Sequence, residues 1–279
     1  MANSHFGKIS EVWKHAVLAE VLDQDRPRSF GETHAGSADY SLTHSPERDY
    51  GIYGFWDRRT ADPTLRASVY ARVLDALPQV SGRPRRCPGS PLVAMNILGA
   101  STDHVYFDTD PDSVRTIAGV ADELGIASHV RTEARDGCSG VLQAHLDHPD
   151  ACVHIDPFDP FEPGSVGGPS PVDVAKTLSS AGTRVLYWYG YEAADERTWA
   201  WEEIAATVPS ARWWIGEIEY AEPETDSGIV GSGVLVANVS DPAIERCKAF
   251  GGALVSAYRK ASLPSGNRGS LGFLSRRSP

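Results

Sequence analysis

Four short segments bring acidic or very small residues together where a ligand could be held. They are Thr33-His34-Ala35-Gly36, Asp108 in Tyr106-Phe107-Asp108-Thr109-Asp110-Pro111, Asp136-Gly137, and Asp156-Pro157. A carboxylate in such a place accepts hydrogen bonds from hydroxyl or amino groups. A run of small residues lets a ligand approach the backbone closely. The chain has no Gly-x-Gly-x-x-Gly and no Gly-x-x-x-x-Gly-Lys-Ser/Thr, so a dinucleotide or triphosphate cradle is unsupported.

The elements that must position these residues alternate along the chain. Ile9, Val12, Trp13, Val17 and Leu18 have the spacing of an amphipathic helix over 8–22. A short strand then leads into the Thr33–Gly36 turn. Pro88-Gly89-Ser90-Pro91 opens a helix, with Ser90 suited to cap it and Pro91 to its first position. Strands are expected at 104–108, 127–133, 151–156 and 184–189, with helices between them, and two consecutive strands follow in 211–221 and 228–239. That order predicts a doubly wound α/β sheet with an antiparallel edge. The four segments then fall at strand carboxyl ends, where open α/β sheets bind ligands. A nucleoside cofactor without phosphates fits best, with Asp108 receiving ribose hydroxyls, and S-adenosylmethionine (SAM) is the common one. The plain alternative is that Asp108 and Asp156 are merely polar strand ends.

The chain has 279 residues, 41% hydrophobic and 23% charged, enough for a core and too ordered a composition for wholesale disorder. No apolar run approaches the ~20 residues of a membrane span. The opening residues lack a signal-peptide pattern, so the cytoplasm is the expected compartment. The four cysteines have no Cys-x-x-Cys spacing and are expected as free thiols. The net charge is −11, but 57–86 carries +4 and 259–279 carries +5, leaving −20 on the rest. Two basic surfaces on an acidic body are either solvated faces or contacts for an anionic ligand.

Five segments, in order, are similar to the bacterial 23S rRNA adenine-N6 methyltransferase family. They are His5–His15 (HFGKISEVWKH), Glu32–Gly36 (ETHAG), Cys87–Pro91 (CPGSP), Ile155–Asp159 (IDPFD) and Ser232–Asn238 (SGVLVAN). The resemblance spans nearly the whole chain. It implies a Rossmann-like class I SAM-dependent methyltransferase fold, a mostly parallel sheet with an antiparallel edge and a helical insertion. The SAM-binding domain would comprise 1–40 and 87–258, the insertion 41–86, and a basic tail 259–279. It also implies a SAM site. Lys14, His15, His34 (with Gly36) and Ser90 would surround the methionine part, Asp108 the ribose, and Asp136 and Gly137 the adenine, with Asp156 beside the sulfonium. Asp156 and the Pro157 carbonyl would orient the acceptor amine, and the insertion would help to bind RNA.

The departures lie on the acceptor side. Phe158 replaces the family's second proline, Asp159 its stacking tyrosine, and Lys8-Ile9 an Asn-His pair. Gly190 replaces a proline, and Met1–Ser4 hold no aromatic residue. A carboxylate at 159 cannot stack a base, but it could bind an amine cation or take its proton. The expected reaction is therefore methyl transfer to a non-rRNA acceptor, foremost a small-molecule amine, with Asp156, Pro157 and Asp159 as catalytic residues. The alternatives are 23S rRNA adenine, a SAM-cleaving or SAM-cyclising enzyme, and a SAM-binding protein without catalysis.

His145, His148 and His154 with Cys138 and Cys152 lack finger-like spacing and read as surface histidines, not a zinc site. Adjacent Trp213 and Trp214 should point to opposite sheet faces. Trp188 and Tyr189 are candidate pocket walls. Glu217 and Glu219 read as solvent-facing.

Overall fold

A computed structural model of the chain describes residues 6–148, 150–164, 167–224, 227–259, 261–262, 265–266 and 268–278. His5 and Met1–Ser4 lie outside the described residues. In chain order the elements are α1 (Ile9–Asp25), β1 (Ser29–Glu32), β2 (Asp39–Ser41), α2 (Pro46–Tyr50), α3 (Ile52–Arg58), α4 (Pro63–Ala67), α5 (Val69–Ala76), β3 (Gln79–Val80), β4 (Arg83–Pro84), β5 (Arg86–Pro88), α6 (Ser90–Leu98), β6 (Asp103–Asp108), α7 (Pro111–Glu123), β7 (Val130–Ala134), α8 (Gly137–His145), β8 (Ala151–Ile155), α9 (Pro171–Ser180), β9 (Arg184–Tyr191), α10 (Trp199–Glu203), β10 (Trp213–Glu219), β11 (Gly231–Ala237), α11 (Asp241–Tyr258), β12 (Ala261–Ser262), β13 (Arg268–Gly269) and β14 (Gly272–Arg277). Side chains close the exposed amides where helices begin: Asp110 for α7, Ser240 for α11, and a reciprocal Ser170–Asp173 box for α9.

Eight strands form one sheet in the order β14-β10-β11-β9-β8-β1-β6-β7. Strands β7, β6, β1, β8 and β9 run parallel, and β11 is antiparallel to both β9 and β10. The antiparallel strand is thus wedged inside the sheet. The outer edge is β14, which pairs antiparallel with β10 through Trp214–Glu219 and lies within the basic segment 259–279. From β1 the chain winds outward to β6 and β7, then returns to β8 and β9 on the other side. The order reverses between β1 and β8, so a crevice opens there at the strand carboxyl ends.

Apolar side chains pack on both faces of this sheet. One face carries α1, α6, α7, α11 and the helices of 46–76, and the other carries α8, α9 and α10. Trp213 and Trp214 do part to opposite faces. The amphipathic expectation for the first helix is corrected, because α1 is covered by β11, α5, α6 and α11 and is buried almost all round. Its polar residues Lys14, His15 and Glu20 are therefore buried and need partners. Glu20 finds one in the Val69 N–H at the start of α5, 2.8 Å away.

The segment between β2 and β5 leaves and rejoins through those two paired strands. Its arginines, with Arg86 of β5, are partly paired with carboxylates of the segment itself, of α1 and of β2. Arg59 pairs with Asp75, Arg72 with Asp23, Arg83 with Asp57 and Arg86 with Asp39. No described helix is long and apolar enough to cross a membrane. The four cysteines are free and buried.

Candidate cofactor site at the strand ends

The loops after β1, β6, β7 and β8 meet at the crevice, and glycines let them touch. A Cβ on Gly137 would lie 1.9 Å from the Thr33 carbonyl oxygen, and one on Gly89 would lie 2.2 Å from that of Ser37. Neither position has room for a side chain. Gly36, at φ +61°, takes a left-handed conformation that suits glycine. Its N–H donates to Asp108 Oδ2 at 2.8 Å, and the Asp110 N–H donates to Oδ1 at 2.8 Å. The end of β6 is thereby fixed to the turn after β1.

His34 lies amid the carboxylates. Burial holds its imidazole below the usual histidine range, while Asp156, Asp108 and Asp136 are near enough to favour the charged form. Its Nδ1 is 2.7 Å from Thr33 Oγ1. Asp136 accepts from the Ser139 N–H at 3.0 Å, so it caps α8 at the crevice wall. Ser90 is buried at the first position of α6. The cap expected of Ser90 falls to Gly89, which lies tight against Ser37 as only a glycine can, and Pro91 is the second helical residue.

From the other side α1 presents Lys14. Its Nζ lies 2.5 Å from Asp156 Oδ2, 2.7 Å from Glu11 Oε1, and 5.4 Å from the ring centre of Trp188. Burial would lower the lysine, but Asp156 and Glu11 outweigh it and hold it above its ordinary range. Glu11 is raised by burial, opposed by Lys14. His15 Nε2 sits 3.6 Å from Glu11 Oε2, and burial together with Lys14 keeps the ring neutral. Pro157 is buried and its carbonyl accepts no hydrogen bond from the described residues.

The structure thus brings Lys14, His15, His34, Gly36, Ser90, Asp108, Asp136, Gly137 and Asp156 to one crevice. Asp159 stands outside it, exposed, and accepts from the Phe161 N–H at 2.9 Å. Phe158 is 96% exposed. Trp188 faces Lys14, whereas Tyr189 is buried on the opposite face and donates to Glu217 at 2.5 Å. Glu217 is therefore corrected from solvent-facing to buried, because Tyr189 gives it a partner. Glu219 is half-exposed and paired with Arg197.

Two residues that pattern reading missed are Glu32 and His154. They are fully buried with His154 Nδ1 2.6 Å from Glu32 Oε1. His154 is corrected from a surface histidine, and so is His145, whose ring packs on Gly31. Among the described residues no group of three His, Cys, Asp or Glu is placed to hold a metal ion.

SAM fits these residues on one observation in particular. His15 Nδ1 and His154 Nε2 are buried around the crevice without a hydrogen-bond partner among the described residues. Such atoms cost about 1–3 kcal/mol each unless something completes them. A ligand with amino, carboxylate and hydroxyl groups has the complementary polar groups.

The strand order, a parallel run with antiparallel β11 inserted beside β9, makes this a Rossmann-like doubly wound α/β fold. Among solved structures the chain is similar to a Legionella pneumophila protein of family DUF519, at 21% identity, with 98% of each chain covered and a TM-score of 0.74. Weaker matches include a Clostridium thermocellum protein classed as an rRNA methylase (10% identity, 84% of this chain and 97% of that one, TM-score 0.47). Another is a Thermotoga maritima SAM-dependent O-methyltransferase (9% identity, 81% and 64%, TM-score 0.40). No family model matches the chain, and no curated protein matches it.

Proposed function

We propose that the chain transfers a methyl group from SAM to a nitrogen nucleophile, and that the acceptor is a small amine rather than large-subunit rRNA. The observation that carries the reading is Asp156 held by Lys14 at the mouth of a crevice lined by His34, Asp108 and Asp136. Asp108 would receive the ribose hydroxyls, Asp136 and Gly137 the adenine, and His15, His34, Gly36 and Ser90 the amino-acid end. When bound, SAM supplies a methyl group already activated on a sulfonium.

The chain's own task is to aim and unburden the acceptor nitrogen. Its lone pair must lie in line with the bond being broken. Asp156 Oδ2 is taken by Lys14, which leaves Oδ1 to accept one N–H. The Pro157 carbonyl accepts the second. Lys14 stays charged and holds Asp156, so Asp156 orients the nitrogen. The acceptor's proton passes to water, and Asp159, exposed outside the crevice three residues on, attracts the amine cation as it approaches.

The pairing of four insertion arginines with carboxylates supports the small acceptor, because paired guanidinium groups offer less to a phosphate backbone. One observation favours the second reading, an rRNA adenine. The ring of Phe158 stands in solvent two residues from Asp156 and would stack on a flipped base.

Labelled SAM incubated with protein-free large-subunit rRNA, and separately with a panel of small amines, tests both, with Asp156→Ala as control. Label in an amine, lost in the variant, is the expected result. Stoichiometric N6-methyladenosine would overturn the choice of acceptor. Methylthioadenosine without S-adenosylhomocysteine would overturn methyl transfer itself.

A further inference from the structure

Glu32 and His154 are register partners on β1 and β8, the two strands between which the sheet reverses its order. Their side chains meet at 2.6 Å and are 0% and 1% exposed. Both project toward the α1–α6 layer, as Phe30 and Cys152 do two residues earlier. The Ser90 hydroxyl, at the start of α6, lies beside the same carboxylate and favours its charged form. His15 and His34 are both within electrostatic reach of His154.

A carboxylate in this place is a problem for the site. If α6 is to receive the carboxylate of the cofactor's amino-acid end, an unpaired Glu32 charge behind Ser90 would repel it strongly at such low polarity. The imidazole removes the difficulty. Its Nδ1, 2.6 Å from Glu32 Oε1, is placed to donate to the carboxylate and offset its charge. Burial raises Glu32, and His154 is the main group opposing that shift.

We propose that His154 is a positioning residue for the cofactor's amino-acid end: by offsetting the charge of Glu32 behind Ser90 it allows the start of α6 to accept a carboxylate. The proposal rests on the SAM reading above. The same pair ties together the strand that leads into His34, the strand that leads into Asp156, and the first turn of α6.

The test compares two ligands by calorimetry at pH 8.5, where Glu32 left alone is more ionised. S-adenosylhomocysteine has the amino-acid end, and methylthioadenosine lacks it. In His154→Leu, S-adenosylhomocysteine should bind at least about tenfold more weakly, while methylthioadenosine stays within roughly twofold. Adding Glu32→Gln should restore S-adenosylhomocysteine to within roughly threefold of the parent, because the charge to be offset is gone. Equal weakening of both ligands, no weakening, or no recovery in the double variant would each overturn the proposal. Should His154→Leu fail to fold, His154→Gln takes its place with the same selective loss expected. If the parent protein binds neither ligand, the SAM reading itself fails and this inference falls with it.

Discussion

Lys14 and Asp156 are 142 residues apart in sequence and 2.5 Å apart in space. The contact joins the first helix to the end of β8, so α1 supplies part of the crevice as well as part of the core. Glu11 on the preceding turn completes a buried group of one cation between two carboxylates.

Lys14→Met leaves Glu11 and Asp156 facing each other uncompensated. Both are partly screened, at 18% and 16% exposure, so the loss of stability should be about 3 kcal/mol, the low end for breaking a buried pair. Methyl transfer should fall at least ~100-fold, since Asp156 loses the group that aims it. Adding Glu11→Gln should recover much of the melting temperature and none of the activity. Recovery of both would reduce Lys14 to a structural role.

Asp159→Asn keeps the hydrogen bond that Asp159 accepts from the Phe161 N–H and removes the charge. With an aliphatic amine acceptor, KM for the amine should rise several-fold while kcat and SAM affinity are unchanged. Steady-state kinetics beside calorimetry separate these quantities. An unaltered KM would remove Asp159 from acceptor binding.

Gly137→Ala places a methyl group where the Thr33 carbonyl already is. The turn after β1 must move away, at a cost of about 1–3 kcal/mol. Because that turn carries His34 and Gly36, ligand affinity should drop by a larger factor than stability alone explains. Gly119→Ala, inside α7 where a Cβ meets nothing within 4 Å, is the control and should leave ligand affinity unchanged while adding up to about 1 kcal/mol of helix stability.

His145 should make the fold acid-sensitive. Its ring lies over Gly31, with Nδ1 3.3 Å from Ser29 Oγ. Burial, with His148 and Arg131 adding to it, pushes the imidazole down to about 4 from 6.5. The unfolded chain therefore takes this proton before the folded one does. Stability is full above the unfolded value and declines as pH falls from 6.5 toward 4, by up to about 3 kcal/mol. Melting curves at pH 7 and pH 5 should diverge less in His145→Leu than in the parent. Equal divergence would assign the acid sensitivity elsewhere.

The alternation of strands and helices was legible because each element has a clear period and a marked end, as in Asp110-Pro111 before α7. Ser90, Asp108, Asp136 and Asp156 were legible as candidates for the same reason: all fall at element ends. What pattern could not reveal was pairing across the sheet. His154 sits in an apolar strand and Glu32 ends another, and nothing in either segment announces that they are register partners. Glu217 was misread because alternation looks the same whether the outward face meets water or Tyr189. The helix Asp241–Tyr258 and the edge strand Gly272–Arg277 went unread for a different cause. Both follow the last strand of the expected pattern, and β14 alternates too weakly, with exposed Leu274, Ser275, Arg276 and Arg277, to stand out from a charged tail.

Trp188 is half-buried, with its ring centre 5.4 Å from the Lys14 ammonium and its Nε1 unpartnered among the described residues. An indole's emission shifts in colour and yield with the charge beside it. The crevice therefore carries its own optical gauge. Any molecule that draws Lys14 aside or settles against that ring alters the light the protein gives out, so binding can be followed without dye or label.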